Sequence, residues 1–355
     1  MADPHKSRLW PGAALALGSA LLFGIATPFS KLLIGGIDPQ MLAGVLYLGA
    51  GIGLAGVHFG RGALGMPAPE APLKTGDLPW LAAVVFFGGM LGPLLLMLGI
   101  AHTDAPSASL LLNLEGLATM AIAWIVFREN VDRRLLLGAL SILGGAAVLS
   151  WRGHGFSAGG GSFYIVGACL AWGIDNNLTR KLSAGDPVVI AMAKGLVAGG
   201  VNTAIALFNG KQLPPAMTLL AAAILGFLAI GVSLVLFIRA LRYLGTARTG
   251  AYFSLAPFIG AVVAILLLHE PMTETLLLAG VLMGLGLWLH LAERHEHGHL
   301  HETIEHEHGH RHDDGHHDHV HDGPVTEPHS HRHSHPKVRH SHVHYPDMHH
   351  RHSHD

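Results

Sequence analysis

The chain has 355 residues, half of them apolar, and Asp, Glu, Lys and Arg make up only 13%, against about 25% in an ordinary soluble protein. This composition excludes the several soluble domains that length alone would suggest, and a net charge of −2 gives no reason to expect a nucleic-acid partner. The single cysteine, Cys169, excludes an internal disulfide framework and any Cys-rich metal site.

The averages hide a split. Residues 1–294 carry 17 basic and 13 acidic residues, whereas residues 295–355 carry 5 and 11, with 23 of the 29 histidines. A greasy body is joined to a polar tail. In chain order, the body predicts ten membrane spans, at 13–34, 39–59, 79–101, 105–127, 135–150, 162–180, 187–208, 217–238, 249–268 and 275–292. Most approach the ~20 residues with which a helix crosses a ~30 Å hydrocarbon core. Their Gly and Ala content suits close helix contact in lipid, where small residues let backbones approach. The first apolar run, flanked by Lys6 and Arg8, is too long for a signal peptide and lacks a small-x-small cleavage site.

Basic residues in short loops set orientation. An inside N-terminus puts Lys6, Arg8, Arg61, Lys74, Arg128, Arg133, Arg134, Arg180, Lys181, Arg239, Arg242, Arg248 and Arg294 in the cytoplasm, and only Lys31, Arg152 and Lys211 outside. An even number of spans then returns the tail to the cytoplasm.

The two halves of the body resemble each other. FGIATPFSK (23–31) aligns with WGIDNNLTR (172–180), and Asp38-Pro39 with Asp186-Pro187. LNLEGLATMAIAWIVFREN (112–130) aligns with FSLAPFIGAVVAILLLHEP (253–271), placing Glu129 opposite Glu270. Five spans per half force the second copy to enter from the opposite side, an architecture typical of secondary transporters. The expected fold is therefore an all-α membrane protein. Residues 1–12 form a cytoplasmic N-terminus, 13–150 and 162–292 two inverted five-helix repeats joined by a loop at 151–161, and 293–355 a disordered tail.

On these segments the chain resembles the drug/metabolite transporter superfamily, and within it the EamA-type exporters, over about residues 13–292. The resemblance implies a central substrate cavity lined by spans 1, 3, 4, 6, 8 and 9, with the fifth and tenth at the periphery. One departure is Gly116, where many members have proline after the acidic residue of the fourth span. The second half keeps Pro257.

Ionisable groups within hydrocarbon are costly and mark function by default. Glu115 falls near the middle of span 4 beside Asn113, Asp175 lies deep in span 6 before Asn176 and Asn177, and Lys194 lies on span 7. At about 1.5 Å per residue, Asp175 sits about 7–8 Å and Lys194 about 12 Å from the loop that joins their spans, within reach of each other. A structural ion pair and a functional carboxylate are equal readings of Asp175. Glu115 has no basic residue at its depth on neighbouring spans, which favours proton coupling or substrate binding. Met90, Met97 and Met120 read as packing residues rather than soft ligands, and His102 with Asp104 as a helix-end loop. GFSAG (155–159) fits a nucleophile elbow, but lies in a glycine-rich loop without the strand–turn–helix setting. HEHGH, at 295–299 and 306–310, fits the zincin string, but a tail so rich in histidine produces such strings by composition. No enzyme is expected.

The tail repeats H-x-H, including HSH at 329–331, 333–335, 340–342 and 352–354. In extended chain, residues i and i+2 lie on one side, and neutral imidazole suits nickel, cobalt, zinc and copper. The candidate ligands are His295, His297, His299, His306, His308, His310, His316, His317, His319 and His321, with Glu296, Glu307, Asp313 and Asp318 adding oxygens.

The sequence thus points to a multi-pass secondary transporter of the cytoplasmic membrane, with both termini inside, exporting a small solute by proton coupling. The cytoplasmic tail tips the balance slightly toward nickel, cobalt or zinc as cargo. Export of a small organic metabolite or drug, with the tail buffering or sensing metal, is the alternative. A membrane metal sensor or store without flux is the reading of another class. No cofactor is required, and the tail is a candidate binder of nickel, cobalt or zinc ions. The expected partners are the solute or metal ion and the lipid bilayer, with a homodimer left open.

Overall fold

A computed structural model describes residues 4–65, 73–127, 133–150, 160–182, 185–291, 296–300, 304–310, 329–335 and 339–343. Its body is all-helical. The first expected span is two helices, α1 (Pro4–Gly24) and α2 (Ala26–Ile34), broken at Ile25. Pro28 has no N–H for the carbonyl of Gly24 four residues back, which explains the break. α3 (Pro39–Ala63) begins at Asp38, whose carboxylate accepts from the Gln40 and Met41 amides. The third span is α4 (Leu78–Val84), a π-helical segment Val85–Leu91, and α5 (Gly92–Ala101). Pro93, at the start of α5, again removes a backbone donor.

The fourth span is also discontinuous. α6 (Ala105–Leu111) and α7 (Leu114–Phe127) are separated by Leu112 and Asn113, whose amides reach back only three residues, to Ser109 and Leu110. Then follow α8 (Arg133–Ser150), α9 (Gly160–Leu182), α10 (Pro187–Phe208) and α11 (Ala216–Gly226). Asp186 caps α10 through the Val188 amide at 2.8 Å, repeating the Asp-Pro start of α3. A second π-helical segment, Phe227–Val232, leads into α12 (Ser233–Phe253), and α13 (Ala256–Leu268) and α14 (Glu274–Leu291) complete the body.

Six stretches among the described residues are long and apolar enough to cross a membrane: Gly12–Ile34, Pro39–Ala63, Thr75–Ala101, Ala105–Val126, Pro187–Phe208 and Ala216–Ala240. Shorter apolar helices occupy Leu136–Leu149, Ala256–Leu268 and Glu274–Leu289. One expectation needs correction. No loop separates spans 8 and 9 at 239–248, because α12 continues through it to Phe253. The chain turns at Ser254 and Leu255 instead, where Pro257 cannot donate to the Phe253 carbonyl.

The helices pack in pairs: α3 on α10, α8 on α14, α1 on α12, and α9 against both α5 and α7. Small residues make these contacts. A Cβ at Gly199 would fall 2.8 Å from the Tyr47 carbonyl carbon and 2.9 Å from the Gly44 oxygen, so α3 and α10 touch backbone to backbone. Ser141 on α8 donates to the Leu282 carbonyl of α14 at 2.6 Å. Lys31, at the end of α2, donates to the carbonyls of Ile100 and Thr103 at 2.7 and 2.6 Å, closing the C-terminus of α5.

Of the tail, only the short segments 296–300, 304–310, 329–335 and 339–343 are described. β1 (Glu296–Leu300) pairs antiparallel with β4 (Arg339–Val343), and β2 (Ile304–His310) with β3 (His329–His335). An antiparallel ladder pairs backbone donors and acceptors without needing a buried face. His295, His316, His317, His319, His321, Asp313, Asp318 and Glu129 lie outside the described residues, as does GFSAG (155–159).

Candidate functional site

The polar groups of the body converge on α9. Asp175, Asn176 and Asn177 occupy consecutive positions, about 100° apart around the helix, and therefore address different neighbours. Asp175 faces α10. Its Oδ2 lies 2.5 Å from Lys194 Nζ, and its Oδ1 accepts from Thr179 Oγ1 at 3.2 Å. Both side chains of this pair are buried. Asn176 faces α7, where its amide donates to Glu115 Oε1 at 2.9 Å and to Thr119 Oγ1 at 3.2 Å. Thr119 Oγ1 in turn donates to the Glu115 carbonyl at 2.9 Å. Asn177 donates to the carbonyls of Thr119 and Gly173, at 3.1 and 2.8 Å, and ties α9 to α7.

Glu115 owes its position to the break in the fourth span. It occupies the first turn of α7, where unpaired amides and the helix dipole favour a negative charge. Among the described side chains no cation lies within ion-pair distance, and its recorded side-chain partner is the neutral amide of Asn176. The two intramembrane carboxylates therefore differ in kind: Asp175 is neutralised by a lysine, Glu115 is not. Asn113 does not join them. Its amide donates to the Leu110 carbonyl and contacts Met283 Sδ of α14 at 3.9 Å, because the turn at 112–113 carries it away from Glu115.

The π-helical segment Val85–Leu91 lies against the ion pair. A Cβ at Gly88 would collide with the Asp175 carboxylate and with Lys194 Nζ. The Gly88 carbonyl accepts from Tyr47 Oη at 2.8 Å and from Trp172 Nε1 at 3.0 Å. A π-helical turn changes carbonyl registration, and such turns recur at functional sites. Tyr47 and Trp172 also line a small cavity of about 30 Å³, together with Phe23, Thr27, Ser30 and Ile230. That volume holds about one or two waters. Ser30 Oγ is fully buried and has no hydrogen-bond partner. Met97 lines the cavity as well, whereas Met90 presents its carbonyl to Asn202 at 3.2 Å. Asp104 caps α6 through the Ser107 amide at 2.9 Å.

Sequence reasoning named Glu115, Asp175, Asn176, Asn177 and Lys194, and these five come together. It missed Thr119, Tyr47, Trp172 and Gly88. Thr119 is one helical turn from Glu115, and Trp172 one turn before Asp175, so helical spacing was the available signal. Nothing in the sequence singles out Tyr47 or Gly88. Among the described residues no group of three or more His, Cys, Asp or Glu side chains is placed to hold a metal ion.

Comparison with known proteins accords with this architecture. The EamA-like transporter family matches twice, over residues 10–151 and 159–292. A protein of Methanothermobacter thermautotrophicus named "Uncharacterized transporter" is 30% identical over 301 residues, covering 80% of this chain and 87% of its own length. A "Probable terminal-alkyne amino-acid exporter" of Streptantibioticus cattleyicolor is 24% identical over 257 residues, 72% of this chain and 85% of its own. A solved crystal structure superposes with a TM-score of 0.59 at 18% identity, covering 78% of this chain and 94% of the other, and supports the fold alone. The chain belongs to the EamA-like transporter family and is a multi-pass membrane transporter.

Proposed function

We propose that this transporter exports a small organic solute from the cytoplasm across the cytoplasmic membrane, by alternating access between two inverted five-helix repeats, ten spans in all. The observation that carries this reading is the pairing of an apolar, aromatic-walled cavity with an unneutralised Glu115 one helix away. The aromatic walls of Phe23, Tyr47 and Trp172 suit apolar groups, in a cavity that at about 30 Å³ has to widen to admit a solute, and its described lining includes no carboxylate or imidazole for a metal ion. Several features support the repeat. The family matches each half separately. The Asp-Pro starts of α3 and α10, the π-helical segments at 85–91 and 227–232, and the turns at 112–113 and 254–255 recur in equivalent places. Paired discontinuous helices are a device of secondary transporters.

In this mechanism Glu115 takes up and releases the coupling proton. Asn176 and Thr119 hold its carboxylate against α9, so a change in Glu115 is felt by the helix that also carries Asp175 and Trp172. The basic residues assigned above to cytoplasmic loops favour cytoplasmic termini. The name of the Streptantibioticus relative favours export and an amino-acid-like cargo. Comparing the metabolite and metal content of cells with and without the protein tests the reading. A lowered organic solute, restored by Glu115→Gln, supports it, and unchanged metabolites with lowered nickel, cobalt or zinc would replace it with metal efflux. That second reading rests on the His-rich arm.

A further inference from the structure

Two short half-helices contribute to the wall of the cavity, and each is set off from the helix before it. α2 is parted from α1 by the break at Ile25, and α5 follows the π-helical segment Val85–Leu91 with Pro93 in its first turn. Thr27 and Ser30 of α2 line the cavity, as do Pro93, Leu96 and Met97 of α5. Beyond these residues, toward their C-termini, the same two helices are bridged. The half-buried Lys31 donates through Nζ to the Ile100 carbonyl at 2.7 Å and to the Thr103 carbonyl at 2.6 Å. The turn after α5 is held from a second side, where the Ala105 amide donates to Glu270 Oε1 at 3.4 Å.

The chemistry of this bridge suits repeated making and breaking. The ammonium is held by main-chain carbonyls at the negative end of α5. Parting the helices would leave helix-end carbonyls and a lysine near the membrane surface, where water can satisfy both. The Asp175–Lys194 pair differs, because parting it would strand two charges in the interior.

We propose that Lys31 is the latch of an outer gate: its bridge from α2 to the end of α5 keeps the cavity shut toward the outer face, and cargo leaves when the two half-helices part. The latch presupposes the alternating access proposed above, and the orientation that puts residues 35–38 and 102–104 outside. Discontinuous helices beside a central site are common parts of such transporters. A contact made only in the outward-closed state favours that state by its own interaction free energy. Its removal raises access from the outer face and lowers access from the inner face together.

The test follows access to the cavity in the full-length protein and needs no identified cargo. Cys169, the single cysteine, is buried, and Cys169→Ala gives a cysteine-free background. Thr27→Cys then places one thiol on the cavity wall. Its reaction with a small, membrane-impermeant methanethiosulfonate is timed in right-side-out and in inside-out vesicles. Lys31→Met keeps the stem and removes the donors. It is expected to speed labelling from the outer face about tenfold or more, and to slow labelling from the inner face. Lys31→Arg keeps donors and is expected to stay close to the parent rates. Lys31→Gln, with a single amide donor group, is expected to fall between, and it carries the test if the methionine variant fails to insert. Faster labelling from both faces would mean general loosening and would overturn the latch. Unchanged rates would overturn the latch alone. Rapid labelling of the parent chain from both faces would overturn alternating access, and the latch with it.

Discussion

Lys194 Nζ lies 2.5 Å from Asp175 Oδ2 in the middle of the helical body, each side chain only 7% exposed, and Gly88 leaves the room in which the two meet. The pair joins α9 to α10, while Asn176, the next residue along, joins α9 to Glu115 on α7. One helix thus carries both an internally neutralised charge and a link to a carboxylate that has no cation partner among the described side chains.

Breaking the pair from one side leaves a buried charge uncompensated, which costs about 3–5 kcal/mol, whereas removing both partners leaves none. Asp175→Ala and Lys194→Ala are each expected to lower the thermal stability of the detergent-solubilised protein more than the double variant does. Additive losses in the cycle would show that the two groups act independently.

Glu115→Gln keeps the shape and an acceptor for the Asn176 amide at 2.9 Å, so insertion and folding should match the parent chain. A glutamine cannot carry the coupling proton. Uptake into inside-out vesicles under an imposed proton gradient should fall to background, with the cargo identified by the metabolite comparison as the probe. Transport at the parent rate would remove Glu115 from the mechanism.

Gly88→Ala puts a methyl group against both the Asp175 carboxylate and the Lys194 ammonium. Neither can retreat without breaking the pair, and overpacking of this kind costs about 1–3 kcal/mol. A lowered melting temperature is expected. When the pair is already absent, in the Asp175→Ala, Lys194→Ala background, the same substitution should cost much less.

Adjacent glycines of α10 should behave in opposite ways. Gly199→Ala drives a methyl into the α3 backbone near Tyr47 and should destabilise the fold, whereas nothing lies within 4 Å of a Cβ at Gly200. Gly200→Ala should be neutral, or stabilising by up to about 1 kcal/mol from helix propensity. Thermal unfolding followed by size-exclusion chromatography separates the two.

Truncation after residue 294 should leave the body inserted and monodisperse, since the family match ends at residue 292. Export of the organic solute should persist. Loss of export in the truncated protein at every solute concentration would make the arm part of the transport path.

The sequence by itself determined the membrane character, the internal repeat and the placing of Glu115, Asp175 and Lys194 inside apolar spans. Each follows from a property local to the chain. Apolar runs of about twenty residues are sufficient for spanning, and charges inside them are too costly to be incidental. Even the Asp-Pro starts of α3 and α10 were readable, because a cap involves only its own next few amides. Only the tertiary structure decided how those parts are joined. Asp175 and Lys194 were within reach by depth, but depth does not say which side of a helix faces which neighbour, and the same uncertainty wrongly grouped Asn113 with Glu115. The convergence of Tyr47 and Trp172 on the Gly88 carbonyl depends on three separate spans meeting. The loop expected at 239–248 gave way to α12 because basic residues mark a membrane face without ending a helix. In the arm, period-two histidines are visible in the sequence, but opposition of histidine to histidine is a matter of register. Register is fixed only when a strand finds its partner.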